Sequence, residues 1–102
     1  MSKLLSIERS DVDGEVVLTL AGELDAISAP ELERHLDALA AKRSPRVVLD
    51  LSGLSFVDSA GVSVLLKAKH EAEGSGRRLI LRNATEQVRR VFSLVGLADW
   101  LT

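Results

Sequence analysis

The feature that most constrains this chain is a regular exchange between two hydrophobic periods. Short runs at Leu5–Ile7, Val16–Leu20, Val47–Leu51 and Leu79–Leu81 alternate apolar with polar residues or are wholly apolar. Other stretches repeat apolar residues every three or four positions: Leu32, Leu36, Leu39 and Ala40, then Val62, Leu65, Leu66 and Ala72, then Val88, Val91, Phe92 and Val95. Period two marks strands and a period near 3.6 marks helices. The order is therefore β-β-α-β-α-β-α. The first two runs are joined by the tight Asp11-Val12-Asp13-Gly14, with Gly14 free to take a positive φ, so these strands should pair antiparallel. Strands joined through helices should run parallel with right-handed crossovers. Added in sequence order, they place both crossover helices on one face. The expected fold is α/β, a single domain over residues 1–102. Its mixed sheet has four strands, or five, with helices packed mainly on one side. The opposite face would carry Ser6, Glu8, Val17, Thr19, Val48 and Ile80. That face is partly apolar and is a candidate contact surface.

Finer boundaries follow from local chemistry. Gly22–Ile27 breaks the alternation and reads as a loop. Ser28 with Glu31 three residues on forms a capping-box signature, and Pro30 is harmless in a first helical turn. Ser44-Pro45 ends this helix. Ser52–Asp58 reads as a second loop, and Gly74-Ser75-Gly76 as a helix stop. Thr85 should cap the third helix and Gly96 end it. Phe56, Phe92 and Trp100, the only aromatics besides the two histidines, read as core.

Composition narrows the function classes. With 46% apolar and 27% charged residues the chain is an ordinary globular domain. It has no cysteine, which excludes disulfides and thiolate metal sites and fits a reducing compartment. The opening Met1–Glu8 has one lysine and no sustained apolar run, so it does not read as a signal peptide. No apolar stretch approaches the ~20 residues of a membrane helix. A cytoplasmic location away from the membrane is expected. The formal net charge of −2 gives no general pull toward nucleic acid. Acids crowd the first third, however, while bases gather late, at Lys67, Lys69 and the cluster Arg77, Arg78, Arg82, Arg89 and Arg90. Such a distribution is a set of solvated faces or a two-signed surface that orients a protein partner.

Catalysis finds little support. A nucleophilic serine needs its base within hydrogen-bond reach. His70 lies on the helix of Ser59 but eleven residues on, about 16 Å along the axis. His35 sits on another helix among Glu33, Arg34 and Asp37, and both histidines read as surface residues. Val57-Asp58-Ser59-Ala60-Gly61 lacks the first glycine of a nucleophile elbow. No histidine pair has metal-ligand spacing, and no glycine-rich run precedes a lysine and a hydroxyl. Neither metal nor cofactor is expected, and the chain does not read as an enzyme. Asp50, at the end of a predicted strand, invites comparison with a phosphoacceptor receiver, but the order of elements does not supply that site's other acids and lysine. The arginine cluster lacks the exposed aromatics of a base-stacking platform.

What remains is Asp58-Ser59-Ala60-Gly61 at the start of the second helix. Asp and Ser are preferred N-caps, and closing a helix end needs no further function. The same position is also hospitable to negative charge, because free N–H groups and the helix dipole favour anions. A phosphate on Ser59 would add about −1.5 to −2 charges beside Asp58 without melting the helix.

Leu51-Ser52-Gly53-Leu54-Ser55-Phe56-Val57-Asp58-Ser59-Ala60-Gly61 closely resembles the signature of STAS-domain anti-sigma factor antagonists. Gly22-Glu23-Leu24-Asp25 and the closing Val88–Leu97 are also similar, so the resemblance spans essentially the whole chain in order. It implies a partner switch. The unmodified protein would bind an anti-sigma factor that is also a serine kinase of the GHKL ATPase fold, freeing the sigma factor. Phosphorylation of Ser59 would release it, and a phosphatase would restore it. The resemblance places Asp25, Asp58, Ser59 and Gly61 in the partner-binding region. Ala60 departs from the pattern, since many relatives carry a second serine there; Ser59 is left as the motif's only hydroxyl, with Ser55 and Ser63 nearby. A rival use of the same fold is an unphosphorylated accessory or scaffold subunit of a lipid-transport or stressosome-like complex.

Overall fold

The computed structural model describes residues 5–102, so Met1–Leu4 of the opening stretch lie outside the described residues. Four strands form one sheet in sequence order: β1 (Leu5–Val12), β2 (Glu15–Leu24), β3 (Arg46–Val57) and β4 (Arg78–Arg82). Helices α1 (Ala29–Ala41), α2 (Ser59–Gly74) and α3 (Glu86–Leu94) separate or follow them, and a short 3-10 turn covers Ala98–Trp100. β1 and β2 are antiparallel, while β2, β3 and β4 run parallel. The expected order and pairing hold. A fifth strand is reduced to a single parallel bridge between Leu81 and Leu101.

The hairpin turn is Asp13-Gly14, with φ of 50° and 80° and Val12 paired to Glu15. Two positive φ values in a two-residue loop match the right-handed twist of the flanking strands. Val16, Leu18 and Leu20 of β2, Val47, Leu49 and Leu51 of β3, and Leu79 and Leu81 of β4 point to one face. They pack on Leu32, Leu36 and Leu39 of α1, Val62 and Leu65 of α2, and Val88 and Phe92 of α3. Val48 is buried yet lies outside this cluster, because it points to the face that no helix covers.

The strands run longer than expected. Gly22-Glu23-Leu24 is the end of β2, not a loop, and Ser52–Val57 is the end of β3. The two ends pair with each other, from Ala21↔Gly53 to Leu24↔Val57, through register shifts between Thr19 and Ala21 and between Gly22 and Glu23. Bulges add residues without changing the pairing. Buried Leu51, Leu54 and Val57 therefore fall three apart, which hides a strand from a period-two reading. Gly53 is needed here, since a Cβ would stand 2.9 Å from Ala21 Cβ and 3.0 Å from Leu20 O.

Two helix faces also differ. Leu66 of α2 is half-buried, and Val95 is not in the third helix's inner face but at its C-cap, 53% exposed. Thr85 caps α3 as expected, accepting from Val88 N at 3.3 Å. Its hydroxyl also donates to Leu54 O, tying α3 to the extended β3. At the outer edge of β4, Leu81 O accepts from Thr102 N and Thr102 Oγ1, and Leu79 O accepts from Lys69 Nζ. Lys69 lies over the Trp100 ring at 5.4 Å, and His70 meets the same ring edge-on. Among the described residues no helix is long and apolar enough to cross a membrane.

Candidate functional site

The parallel strands β2 and β3 end together at Leu24 and Val57. Neighbouring strands lie about 4.8 Å apart, so the two following residues, Asp25 and Asp58, leave the sheet side by side. This is the carboxyl end of the parallel strands, where open α/β sheets place their sites. Asp58 N donates to Leu24 O at 3.2 Å, which fastens the start of α2 to the end of β2.

Asp58 is the N-cap of α2, and its Oδ1 accepts from Gly61 N at 3.0 Å. Ser59 is consequently the first helical residue, not the cap, and it is exposed. Asp58→Ala should cost about 1 kcal/mol through the lost cap. A thermal melt should show a midpoint lower by roughly 4–8 °C, while Asp58→Asn, which retains the acceptor, should melt near the parent.

Gly61, expected from the motif in the partner-binding region, packs beneath it. It is buried, and a Cβ there would stand 2.8 Å from Leu24 Cγ, Leu24 O and Val57 Cγ2. Its lack of a side chain lets the first turn of α2 rest directly on the ends of β2 and β3. Gly61 positions the site from beneath.

The expected capping box at Ser28 and Glu31 does not form. Ser28 sits in the helical region at φ −90°, ψ −20°, with no side-chain cap bond. Its hydroxyl turns back instead, donating to Glu23 O at 2.9 Å and accepting from Asp25 N at 3.0 Å. The organiser of this loop is Asp25. Its Oδ1 accepts from Ile27 N and Ser28 N, each at 3.0 Å, and lies 3.2 Å from Ser28 Oγ, whose one proton it can only share with Glu23 O. The Ser28 N–H leads the causes that hold the Asp25 carboxyl below its ordinary range, although desolvation opposes the shift. Asp25 is thus a fixed negative charge beside the start of α2.

Two large apolar residues close to these acids in the chain are exposed. Phe56, expected in the core, is 47% exposed near the end of β3, and Ile27 is 80% exposed in the loop after β2. Phe56 escaped notice because the bulges of this segment make inward and outward positions indistinguishable by alternation. The only signal for Ile27 was an isoleucine inside a polar loop.

Other sequence candidates lie elsewhere. Asp50 does not end a strand, because β3 continues for seven more residues to Val57. Its oxygens accept from Ser52 N and Asn83 Nδ2. His35 Nδ1 is 2.9 Å from Glu31 O, and His70 packs on Trp100. The arginine cluster is dispersed: Arg78 and Arg82 are on β4, Arg89 and Arg90 on α3, and Arg77 Nε donates to Ser75. Among the described residues no three His, Asp or Glu side chains converge to hold a metal ion.

A family model described as Mlab, STAS domain, matches residues 7–102. The chain is 34% identical over 87 residues to an anti-sigma F factor antagonist of Lysinibacillus sphaericus, covering 84% of this chain and 74% of that protein. The solved structure of the anti-sigma factor antagonist SpoIIAA in its unphosphorylated form superposes with a TM-score of 0.83 and 29% identity, over 95% of this chain and 86% of that one. The phosphorylated form of the Bacillus cell fate determinant SpoIIAA gives 0.76 and 28%, over 95% and 89%.

Proposed function

The chain belongs to the STAS domain family, and from that premise we propose that it is an anti-sigma factor antagonist switched by phosphorylation of Ser59. The unphosphorylated protein binds an anti-sigma factor, and the sigma factor held by that protein is set free. The partner is a serine kinase of the GHKL ATPase fold, a phosphatase reverses the modification, and the exchange takes place in the cytoplasm. The relatives' shared description as anti-sigma factor antagonists supports the partner class. One observation carries the switch: Ser59 presents an exposed hydroxyl on the first residue of a helix already capped by Asp58, next to the ordered Asp25 loop.

The contact surface is Asp25, Asp58 and Ser59, with Ile27 and Phe56 as its apolar anchors and Gly61 holding α2 in place. Asp25→Ala should weaken binding by about tenfold with the fold retained, since its hydrogen bonds order only its own loop. A titration against the purified partner showing unchanged affinity would remove Asp25 from the interface.

The decisive experiment incubates the protein with ATP and an extract of its host, phosphatases inhibited, and maps phosphate by mass spectrometry. Phosphate on Ser59, absent from Ser59→Ala, is the expected result. An extract active on a control substrate that leaves Ser59 unmodified would favour an unphosphorylated scaffold or transport-accessory role.

A further inference from the structure

The helix-free face of the sheet is laid out in rows by the strand register. The central row runs Ser10, Val17, Val48 and Ile80 across the four strands. The row on one side runs Glu8, Thr19, Asp50 and Arg82, and the row on the other brings Glu15 beside Arg46 and Arg78. Val48 is 0% exposed although no helix lies over it, while Val17 and Ile80 are half-buried. Between two charged rows the face therefore offers Val17 and Ile80 as its accessible apolar surface.

The charges are sorted by strand. Glu8 and Glu15 lie on the β1–β2 half, whereas Arg46, Arg78 and Arg82 lie on the β3–β4 half. Asp50, the one acid on the basic half, is tied to Ser52 N and Asn83. Within these three rows three acids stand against three arginines, so the rows carry no net sign. Nucleic acid and anionic membranes select surfaces of one sign. A balanced face with acid on one half and base on the other is complementary to itself.

We propose that this face is a self-association surface, closed by a second copy of the chain. A two-fold axis lying between the two sheets, parallel to the strands, would set β1–β2 of each copy over β3–β4 of the other. Glu8 would then face Arg82 of the second copy, and Glu15 would face its Arg46, twice each as isologous symmetry requires. An axis across the strands would set Arg78 over Arg82 and leave Glu8 and Glu15 without a base opposite, and is disfavoured. The central rows of the two copies meet in the aligned packing of two sheets. Four strands about 4.8 Å apart and seven residues about 3.3 Å each give roughly 450 Å² per copy. A standard stable interface buries about 800 Å² per partner, so the dimer is weak and salt-sensitive. The Ser59 surface lies at the ends of β2 and β3 and stays open in it.

Analytical ultracentrifugation of the full chain from 10 µM to about 1 mM tests the inference. Expected is a reversible monomer–dimer equilibrium at low salt, weakened about tenfold or more in 0.5 M NaCl, where the screening length falls to about 4 Å. Glu8→Arg alone and Arg82→Glu alone should each lower association about tenfold. The two variants mixed together, or combined in one chain, should restore it. Glu8 is exposed on an edge strand, so its variant remains informative if Arg82→Glu folds poorly beside Asp50. Ser59→Asp should leave the equilibrium unchanged, which separates this surface from the phosphorylation switch. A monomer at every concentration, an association indifferent to salt, or a charge exchange that fails to restore association would each overturn the proposal.

Discussion

Protein phosphorylated on Ser59 should bind its anti-sigma factor at least about 100-fold more weakly than the unmodified form, and Ser59→Ala should bind it without release by ATP. The size follows from electrostatics at a closed interface. A phosphate brings about −1.5 to −2 charges and three acceptor oxygens. It would arrive beside Asp58 and near Asp25, whose carboxyl is held ionised by the Ser28 and Ile27 N–H groups. A partner shaped for this acidic surface with a neutral hydroxyl at its centre must then desolvate an additional dianion. Misplaced charge in a docked interface costs several kcal/mol, and each 1.4 kcal/mol is a factor of about ten in affinity. Ser59→Asp carries a single charge and should lose roughly 10- to 100-fold. The fold should not share the loss, because the first turn of a helix accommodates anions. Binding isotherms for the Ala and Asp variants and the phosphoprotein, with thermal melts alongside, would check both halves. Equal affinities for Ala and Asp would sink the switch.

Gly61→Ala should be the most damaging small change in the site. Two of the three atoms that a Cβ would meet at 2.8 Å are side-chain carbons packed in the core, and the third is the carbonyl oxygen of Leu24. That oxygen also accepts the Asp58 N–H. The methyl group therefore cannot be relieved by rotating a loose side chain; the end of β2 or the first turn of α2 must move. Overpacking of this kind costs about 1–3 kcal/mol, a midpoint lower by roughly 4–8 °C per kcal/mol for a domain of this size. The same displacement separates Asp25 from Ser59, so partner affinity should fall with stability. Gly74→Ala is the matched control, since a Cβ there meets nothing within 4 Å. It should melt at or slightly above the parent. Parallel melts of the two variants give the comparison, and a Gly61→Ala protein as stable as Gly74→Ala would contradict the packing described.

The element order and the mixed sheet were legible because they rest on long-range periodicity. Leu18, Leu20, Leu32 and Leu36 each fall where their period requires and are buried there. The site was legible in its motif but not in its geometry. Bulges in the β2–β3 extension leave pairing intact while breaking the alternation that reveals a strand. The same irregularity concealed the exposure of Phe56. Ser28 shows a different limit: its spacing to Glu31 satisfies the capping-box pattern, but Asp25 offers its backbone N–H to the same hydroxyl, and that local competition decides the outcome. The motif marks Gly61 without giving its role; the packing need for a glycine there becomes visible only with the neighbouring Leu24 carbonyl in place.

The bonds at the outer edge of β4 bear on how this protein survives in the free state. An edge strand is a template for any extended chain that can pair with its exposed backbone. Along β4 the outward carbonyls are those of Leu79 and Leu81, and both are already taken, one by the Lys69 ammonium and the other by Thr102. The sheet cannot recruit a further strand there without first displacing a lysine seated on Trp100 and the last residue of the chain. By this arrangement the free chain is shielded along that side from cross-β polymerisation.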